Sequence, residues 1–317
     1  MIIEEKYKIS KDSDLLFAKI DISNRLKKEK PEYVNFFVFA IMELGTNLIK
    51  HAKKGEIWLL KEDEEFLLAS LDEAEGIVDV DWALQKGNST YHNSLGLGLY
   101  QLSVNSFFDF LIFTSKKEPH GTVILIKPKK LKNNLTVLSD NYIGLNVSGD
   151  FFVKKGKYFI LGDASGHGMQ ANKSAEFIKK YFLNTLFSCS LSDMFFKDLH
   201  KELKKHNLRS AVLVAGEIGK NSLNVCGVGN IGMLTKQHNI IKKTSFKDGI
   251  IGEAFSSSSK YLYTLEKNSK FLMFSDGINE KIIYNIFKRS DDIYLAVVSA
   301  IFYSKRQDDK IILAIRS

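Results

Sequence analysis

Residues 161–172 read LGDASGHGMQAN: an apolar, strand-like run beginning at 157 ends on Asp163, a glycine-bearing turn follows with Ser165 and His167, and a helical pattern starts at 169. A single acid at a strand end is usually an exposed turn residue. Here the context repeats, with Asp150 in SGDFF, Asp276 in FSDG, and Asp308 in QDDK with Asp309 beside it, each next to a strand-like run. Carboxylates gathered at the mouth of a sheet repel one another unless a cation is present, and all-oxygen ligation suits Mg²⁺ or Mn²⁺ better than zinc. Strand signals dominate this half, at 142–153, 157–163, 210–218, 222–227, 231–235, 239–243, 261–265, 270–275 and 310–316, with helices at 169–187, 191–206 and 291–302. The pattern predicts a sheet sandwich flanked by helices.

Upstream, the segment KPKKLKNNL at 127–135 combines a proline, four lysines and two asparagines between apolar runs, which predicts an exposed connection. The domains are accordingly placed at 1–130 and 131–317, and proteolysis in the connection is expected to leave two self-sufficient fragments. The first half reads as helices at 13–29 and 31–52, strands at 56–61 and 65–71, a short helix at 79–86, a glycine-bearing loop, a helix at 97–106, and strands at 108–115 and 121–127. This is an α+β layer pattern. Glu43 and Asn47 stand one turn apart on the second helix, so they share a face. A glutamate there can take a proton, and an asparagine can offer oxygen to Mg²⁺. Asp72 ends a strand, where it can accept from the amino group of a base. Gly96 and Gly98 precede a helix and let backbone N–H groups approach phosphates. The chain lacks G-x-x-x-x-G-K-[ST], which excludes a Walker-type ATPase.

The net charge of +8 is unevenly spread: residues 1–130 carry 18 Lys and Arg against 20 Asp and Glu, and the remainder 27 against 17. No zinc finger, RNA-recognition signature or basic-aromatic stripe accompanies the basic excess, so nucleic acid is not expected as a partner. The two cysteines form no C-x-x-C, and Phe195 and Gly232 stand where a cysteine phosphatase would need arginine after Cys189 or Cys226. Both cysteines read as core residues of a protein in a reducing compartment. The N-terminus lacks a basic n-region and an apolar h-region, and the apolar runs at 34–44 and 107–113 are short of a bilayer span. A cytoplasmic protein without a membrane partner is expected.

The ordered set in the first half resembles the GHKL (Bergerat-fold) ATPases, most closely the small serine kinases of bacterial partner-switching pathways. MELGTNLIKHAKKGEIWL (42–59) looks like the family's N-box helix and next strand, DEAEGIVD (72–79) its first glycine box, and GLGLYQL (96–102) its second. The resemblance covers about residues 10–128 and implies an α/β sandwich binding ATP-Mg²⁺. Glu43 would be the catalytic base, Asn47 the Mg²⁺ ligand, Asp72 the adenine contact, and Gly76, Gly96, Gly98 and Thr122 further nucleotide contacts. Ala74 stands where the family has a glycine, and at a position needing positive φ an alanine would cost roughly 1 kcal/mol and weaken ATP binding.

In the second half LGDASGHGMQAN, CGVGNIG (226–232), SKFLMFSDGINE (269–280) and QDDKIILAIR (307–316) resemble, in order, the metal-dependent protein phosphatases (PPM family) of the SpoIIE-type branch. That resemblance, over about 140–317, implies an α-β-β-α sandwich with two Mn²⁺ or Mg²⁺ ions. Asp163 would bridge them and act in catalysis, Asp150 would complete one, Asp276 and Asp308 the other, and the Ala164 carbonyl would be a further ligand. Such a pair activates water for in-line attack on phosphoserine or phosphothreonine. His167 reads equally as a general acid and as a turn residue, and Gly227, Gly229 and Asn230 read as a tight bend that the resemblance places near the site. Together the halves imply a writer and eraser of one phosphate on a STAS-domain protein of a stressosome or sigma-factor switch. Two alternatives stand beside this: a phosphatase governed by a degenerate nucleotide sensor, and a non-catalytic STAS-binding module. A homodimer is left open.

Overall fold

The computed structural model describes residues 1–88, 96–142, 144–305 and 307–317. The chain divides into two compact units, Met1–Asn133 with Arg289–Phe302, and Asn134–Lys288 with Tyr303–Ser317. No helix among the described residues is long and apolar enough to cross a membrane.

The first unit runs β1 (Ile2–Ile9), α1 (Asp12–Glu29), α2 (Val34–Asn47) extended by a π turn over Leu48–Ala52, β2 (Gly55–Glu62), β3 (Glu65–Leu71), α3 (Val80–Ala83), α4 (Gly98–Ser103), β4 (Phe108–Ser115) and β5 (Gly121–Pro128). Its strands form one antiparallel sheet in the order β1-β2-β3-β5-β4. Side chains alternate between the faces of a strand, so Ile57, Leu59, Phe66, Leu68, Ile124 and Ile126 share the face that packs on Leu15, Ile22 and Leu26 of α1 and Phe37, Ile41 and Leu44 of α2. The interleaved residues, Trp58, Leu60, Leu67, Ala69, Val123 and Leu125, are as deeply buried. Such near-continuous apolar runs mark a sheet covered on both sides.

The second cover comes from the far end of the chain. Helix α8 (Ile293–Tyr303) is apolar all round, and every residue in it is buried. Its Phe302 ring meets Trp58 edge-on at 5.9 Å. Lys127 Nζ lies 5.6 Å from the Tyr294 ring, and the Asn133 N–H donates to the Tyr294 hydroxyl at 3.2 Å. The expectation that a cut at 127–135 leaves two self-sufficient fragments therefore meets a physical obstacle, because the first 133 residues lack the helix that covers this face.

The second unit runs β6 (Leu135–Asp140), β7 (Asp150–Lys155), β8 (Tyr158–Ala164), α5 (Met169–Asn184), α6 (Ser192–Lys205), β9 (Ala211–Ile218), β10 (Ser222–Val228), β11 (Gly232–Gln237), β12 (Ile240–Thr244), β13 (Ser259–Thr264), β14 (Lys270–Phe274), α7 (Glu280–Arg289) and β15 (Lys310–Arg316). Two five-stranded antiparallel sheets result, β13-β10-β9-β8-β7 and β12-β11-β14-β15-β6. Phe159, Leu161, Val214 and Val225 of the first interleave with Met233, Phe271, Met273 and Leu313 of the second. The outer face of the first sheet packs on Ile178 and Phe182 of α5 and Phe196 and Leu199 of α6. Lys236 of β11 donates to the carbonyls of Phe287 and Lys288, tying down the end of α7. Sequence periodicity missed α7, although Ile282, Ile283, Ile286 and Phe287 are buried at helical spacing. Cys189 and Cys226 are buried free thiols, as a core reading requires.

A fragment ending at Asn133 should melt well below the full chain or aggregate, since uncovering Trp58, Leu60, Leu67 and Leu125 forfeits on the order of 5 kcal/mol. Circular dichroism and hydrophobic-dye binding check this. A fragment with the parent's stability would show α8 to be dispensable.

Candidate functional site

The second unit gathers aspartates from both of its sheets. Asp150 opens β7 and stands directly opposite Asp163 near the end of β8, so the two side chains lie on one face at close range. Asp276 follows β14, and Asp308 and Asp309 precede β15, its neighbour in the other sheet. Ser275 joins the two sheets: its hydroxyl donates to Asp150 Oδ2 at 2.6 Å and accepts from the Ile311 N–H at 3.1 Å. The Asn230 amide donates to Asp276 Oδ2 at 3.1 Å, which brings the 227–230 bend to the acids. Gly149 must be glycine, since a Cβ there would lie 2.8 Å from the Ala164 carbonyl oxygen.

Asp309, next to Asp308 in sequence, does different work. It is buried and accepts the N–H groups of Tyr142 at 2.7 Å and Gly149 at 2.8 Å, clamping the loop that leads into Asp150. The His167 ring stacks on Tyr142, centroids 4.6 Å apart. Sequence reasoning missed Ser275 and the clamp. The available signals were the serine adjoining Asp276 and the doubled acid, of which strand alternation lets only one face a given side.

Burial, then the charge of Asp163, holds the Asp150 carboxyl well above the ordinary range, although the Ser275 bond pulls the other way. Burial, then Asp276 and Asp308, lifts Asp163 to about 7. Asp308 is raised as well, chiefly by burial. Asp150 Oδ1 is buried without a hydrogen-bond partner, an expensive state for a carboxylate oxygen. Among the described residues no three His, Cys, Asp or Glu side chains are already gathered tightly enough to hold an ion, so the acids form an open, converging set. An orphaned buried oxygen, mutually repelling carboxylates and an all-oxygen donor set fit a hard divalent cation such as Mg²⁺ or Mn²⁺.

In the first unit, Glu43 and Asn47 are half-buried on α2, and among the described residues neither side chain has a hydrogen-bond partner. A Cβ at Gly98 would collide with the Glu43 carboxylate, so the start of α4 lies directly against it. Asp72 and Thr122 meet across the sheet: Asp72 Oδ1 accepts from the Ala74 N–H at 2.9 Å and the Thr122 N–H at 3.2 Å, and burial raises its pKa. Gly76, at φ +76°, passes too close to Ser115 and Thr114 for a side chain. The Gly96 carbonyl accepts from the Gly87 N–H at 3.0 Å. Residues 89–95 of the intervening loop lie outside the described part. Ala74 has no positive φ, so the strain expected of an alanine there does not exist. Its N–H is spent on Asp72.

Two antiparallel sheets packed face to face, with α5 and α6 on the outer side of the first and acids of both sheets near one another, make up the architecture of the second unit. No family model and no curated protein matches the chain. Among solved structures, RsbX in complex with magnesium is 23% identical with a TM-score of 0.50, covering 59% of this chain and 98% of that one. A serine/threonine phosphatase of S. agalactiae is 12% identical with a TM-score of 0.50, covering 58% of this chain and 99% of that one. At such identities the likeness speaks for the fold: the PPM-type phosphatase architecture extends over somewhat less than three-fifths of the chain.

A carboxyl whose pKa is raised by folding stabilises the protein below its unfolded value, near 3.8, and that contribution is lost as pH rises through the folded value, about 7 for Asp163. Metal-free protein should therefore lose stability between pH 4 and 7, relative to an Asp163→Asn variant, by on the order of 2 kcal/mol. Mn²⁺ should restore the parent and not the variant. Parallel pH profiles in thermal melts would contradict a raised Asp163 carboxyl.

Proposed function

We propose that the protein is a metal-dependent phosphoserine and phosphothreonine phosphatase acting on a STAS-domain protein of a stressosome or related partner-switching pathway. The observation that carries this reading is Asp150 with its orphaned Oδ1, converging with Asp163, Asp276 and Asp308 at the mouth of a PPM-type sandwich. On this reading Asp150, Asp163, Asp276, Asp308 and the Ala164 carbonyl would hold two Mg²⁺ or Mn²⁺ ions, with Asp163 serving both. When bound, the pair supplies a nucleophile from water at neutral pH and offsets charge on the phosphoryl group. The chain's own work is positional. Ser275 orients Asp150, Asn230 orients Asp276, and Asp309 fixes the loop behind Asp150.

Glu43 lies against the Gly98 backbone, and among the described residues neither it nor Asn47 has a hydrogen-bond partner, which favours a nucleotide site in the first unit. There Asn47, Asp72, Gly76, Gly96, Gly98 and Thr122 would hold ATP-Mg²⁺, which would supply the phosphoryl group, and Glu43 would take the proton of a seryl hydroxyl. A phosphate adds about −1.5 to −2 charges to a partner surface, enough to break a complex by repulsion. Opposed activities on one serine would set that complex's assembly.

With Mn²⁺ or Mg²⁺ the chain should hydrolyse p-nitrophenyl phosphate and a phosphoseryl STAS protein. Chelator should abolish turnover, and Asp163→Asn or Asp276→Asn should lower it about a thousandfold. Full turnover in excess chelator would refute the metal centre. In the Asp276→Asn background, ATP should label the STAS partner, and Glu43→Ala should end labelling while ATP still binds. ATP binding without labelling, combined with an ATP-dependent phosphatase rate in the parent, would replace the kinase by a nucleotide sensor.

A further inference from the structure

We propose that Arg209 is the phosphoryl-binding side chain of this centre, giving its guanidinium to an oxygen of the incoming phosphoserine or phosphothreonine; the inference rests on the phosphatase reading. The chain uses lysine for 40 of its 45 cations, so each arginine is a departure from its habit. Arg209 stands just before β9, whose first residue, Ala211, pairs with Ala164. The Ser165 N–H donates to the Ser210 carbonyl at 2.8 Å, and the two seryl hydroxyls bond to each other at 2.8 Å. Residues 209–210 are thereby laced to the turn that follows Asp163 and Ala164.

Arg209 is held at both ends. Its backbone N–H donates to the fully buried Ser174 hydroxyl of α5 at 2.8 Å, and its Nη1 donates to the Ser165 carbonyl at 3.0 Å. Gly166, at φ +80°, leaves open the space that the guanidinium fills, and a Cβ there would collide with Nη1. Yet the residue is exposed, and among the described residues no carboxylate pairs with it and neither Nε nor Nη2 has an acceptor. A guanidinium fixed by one N–H and open at the others is preorganised for a tetrahedral dianion, because its planar fork can offer two parallel donors. Among the described residues Asp150, Asp163, Asp276 and Asp308 act on one another as like charges that would also repel a phosphate, so a cation fixed on the turn after Asp163 and Ala164 gives the substrate a direct protein contact.

The test uses the full chain with Mn²⁺, p-nitrophenyl phosphate as substrate and inorganic phosphate as inhibitor. Arg209→Ala should raise KM and the phosphate inhibition constant together by about tenfold or more, with kcat changed less than about threefold. Arg209→Lys should recover part of the loss, and the Mn²⁺ half-saturation and thermal midpoint should stay at the parent's values. Unchanged KM and phosphate inhibition in Arg209→Ala would overturn the proposal. So would a KM rise matched by a weaker Mn²⁺ requirement and a lower midpoint, since that pattern belongs to a structural tie. If the parent turns over nothing, the phosphatase reading fails by itself, and calorimetry with inorganic phosphate still decides: binding by the parent that Arg209→Ala loses supports an anion site at Arg209, and equal or absent binding refutes it.

Discussion

Four carboxylates held near one another in a low-dielectric sheet mouth are the constraint around which the second unit is organised. Asp150 and Asp163 face each other across a strand pair, and Asp276 and Asp308 arrive from the opposing sheet. Burial first, and then mutual repulsion, raises the pKa values of Asp150, Asp163 and Asp308. The arrangement persists because the interleaved core between the sheets and the helical layer outside them are large enough to offset it. Rigid strands thus hold groups that would otherwise separate, and preorganisation of this kind is what a hard cation needs to displace its water.

Hydrogen bonds divide the acids by role. Ser275 and Asn230 each engage one carboxylate oxygen of an acid and leave the other unengaged by them, whereas Asp309 spends both of its oxygens on backbone N–H groups. Asp309 is therefore a structural anion, with both oxygens spent inside the fold. In the first unit the division repeats: Asp72 ties the ends of β3 and β5 together, while among the described residues Glu43 and Asn47 have no hydrogen-bond partner.

Helix α8 bears on how the chain is assembled. It lies in sequence between Asp276 and Asp308, yet its residues up to Phe302 count with the first unit. The segment that separates two acids of one unit thus closes the apolar face of the other, and a linear partition into two consecutive domains does not describe where the cores are.

The alternation of apolar residues, the acids at strand ends and the glycines beside them were legible in the chain itself, because strand period and turn chemistry are local properties. They sufficed for an α+β pattern and for a sandwich in the second half, and they singled out Asp150, Asp163, Asp276 and Asp308. Local patterns cannot say which apolar run covers which sheet, and so α8 on Trp58 and the helix over Ile282–Phe287 emerged only in three dimensions. Nor can they say which of two adjacent acids turns inward, how Ser275 links two sheets, or that Ala74 sits without strain. These depend on residues tens to more than a hundred positions apart meeting at hydrogen-bond distance, and only the packed fold brings them there.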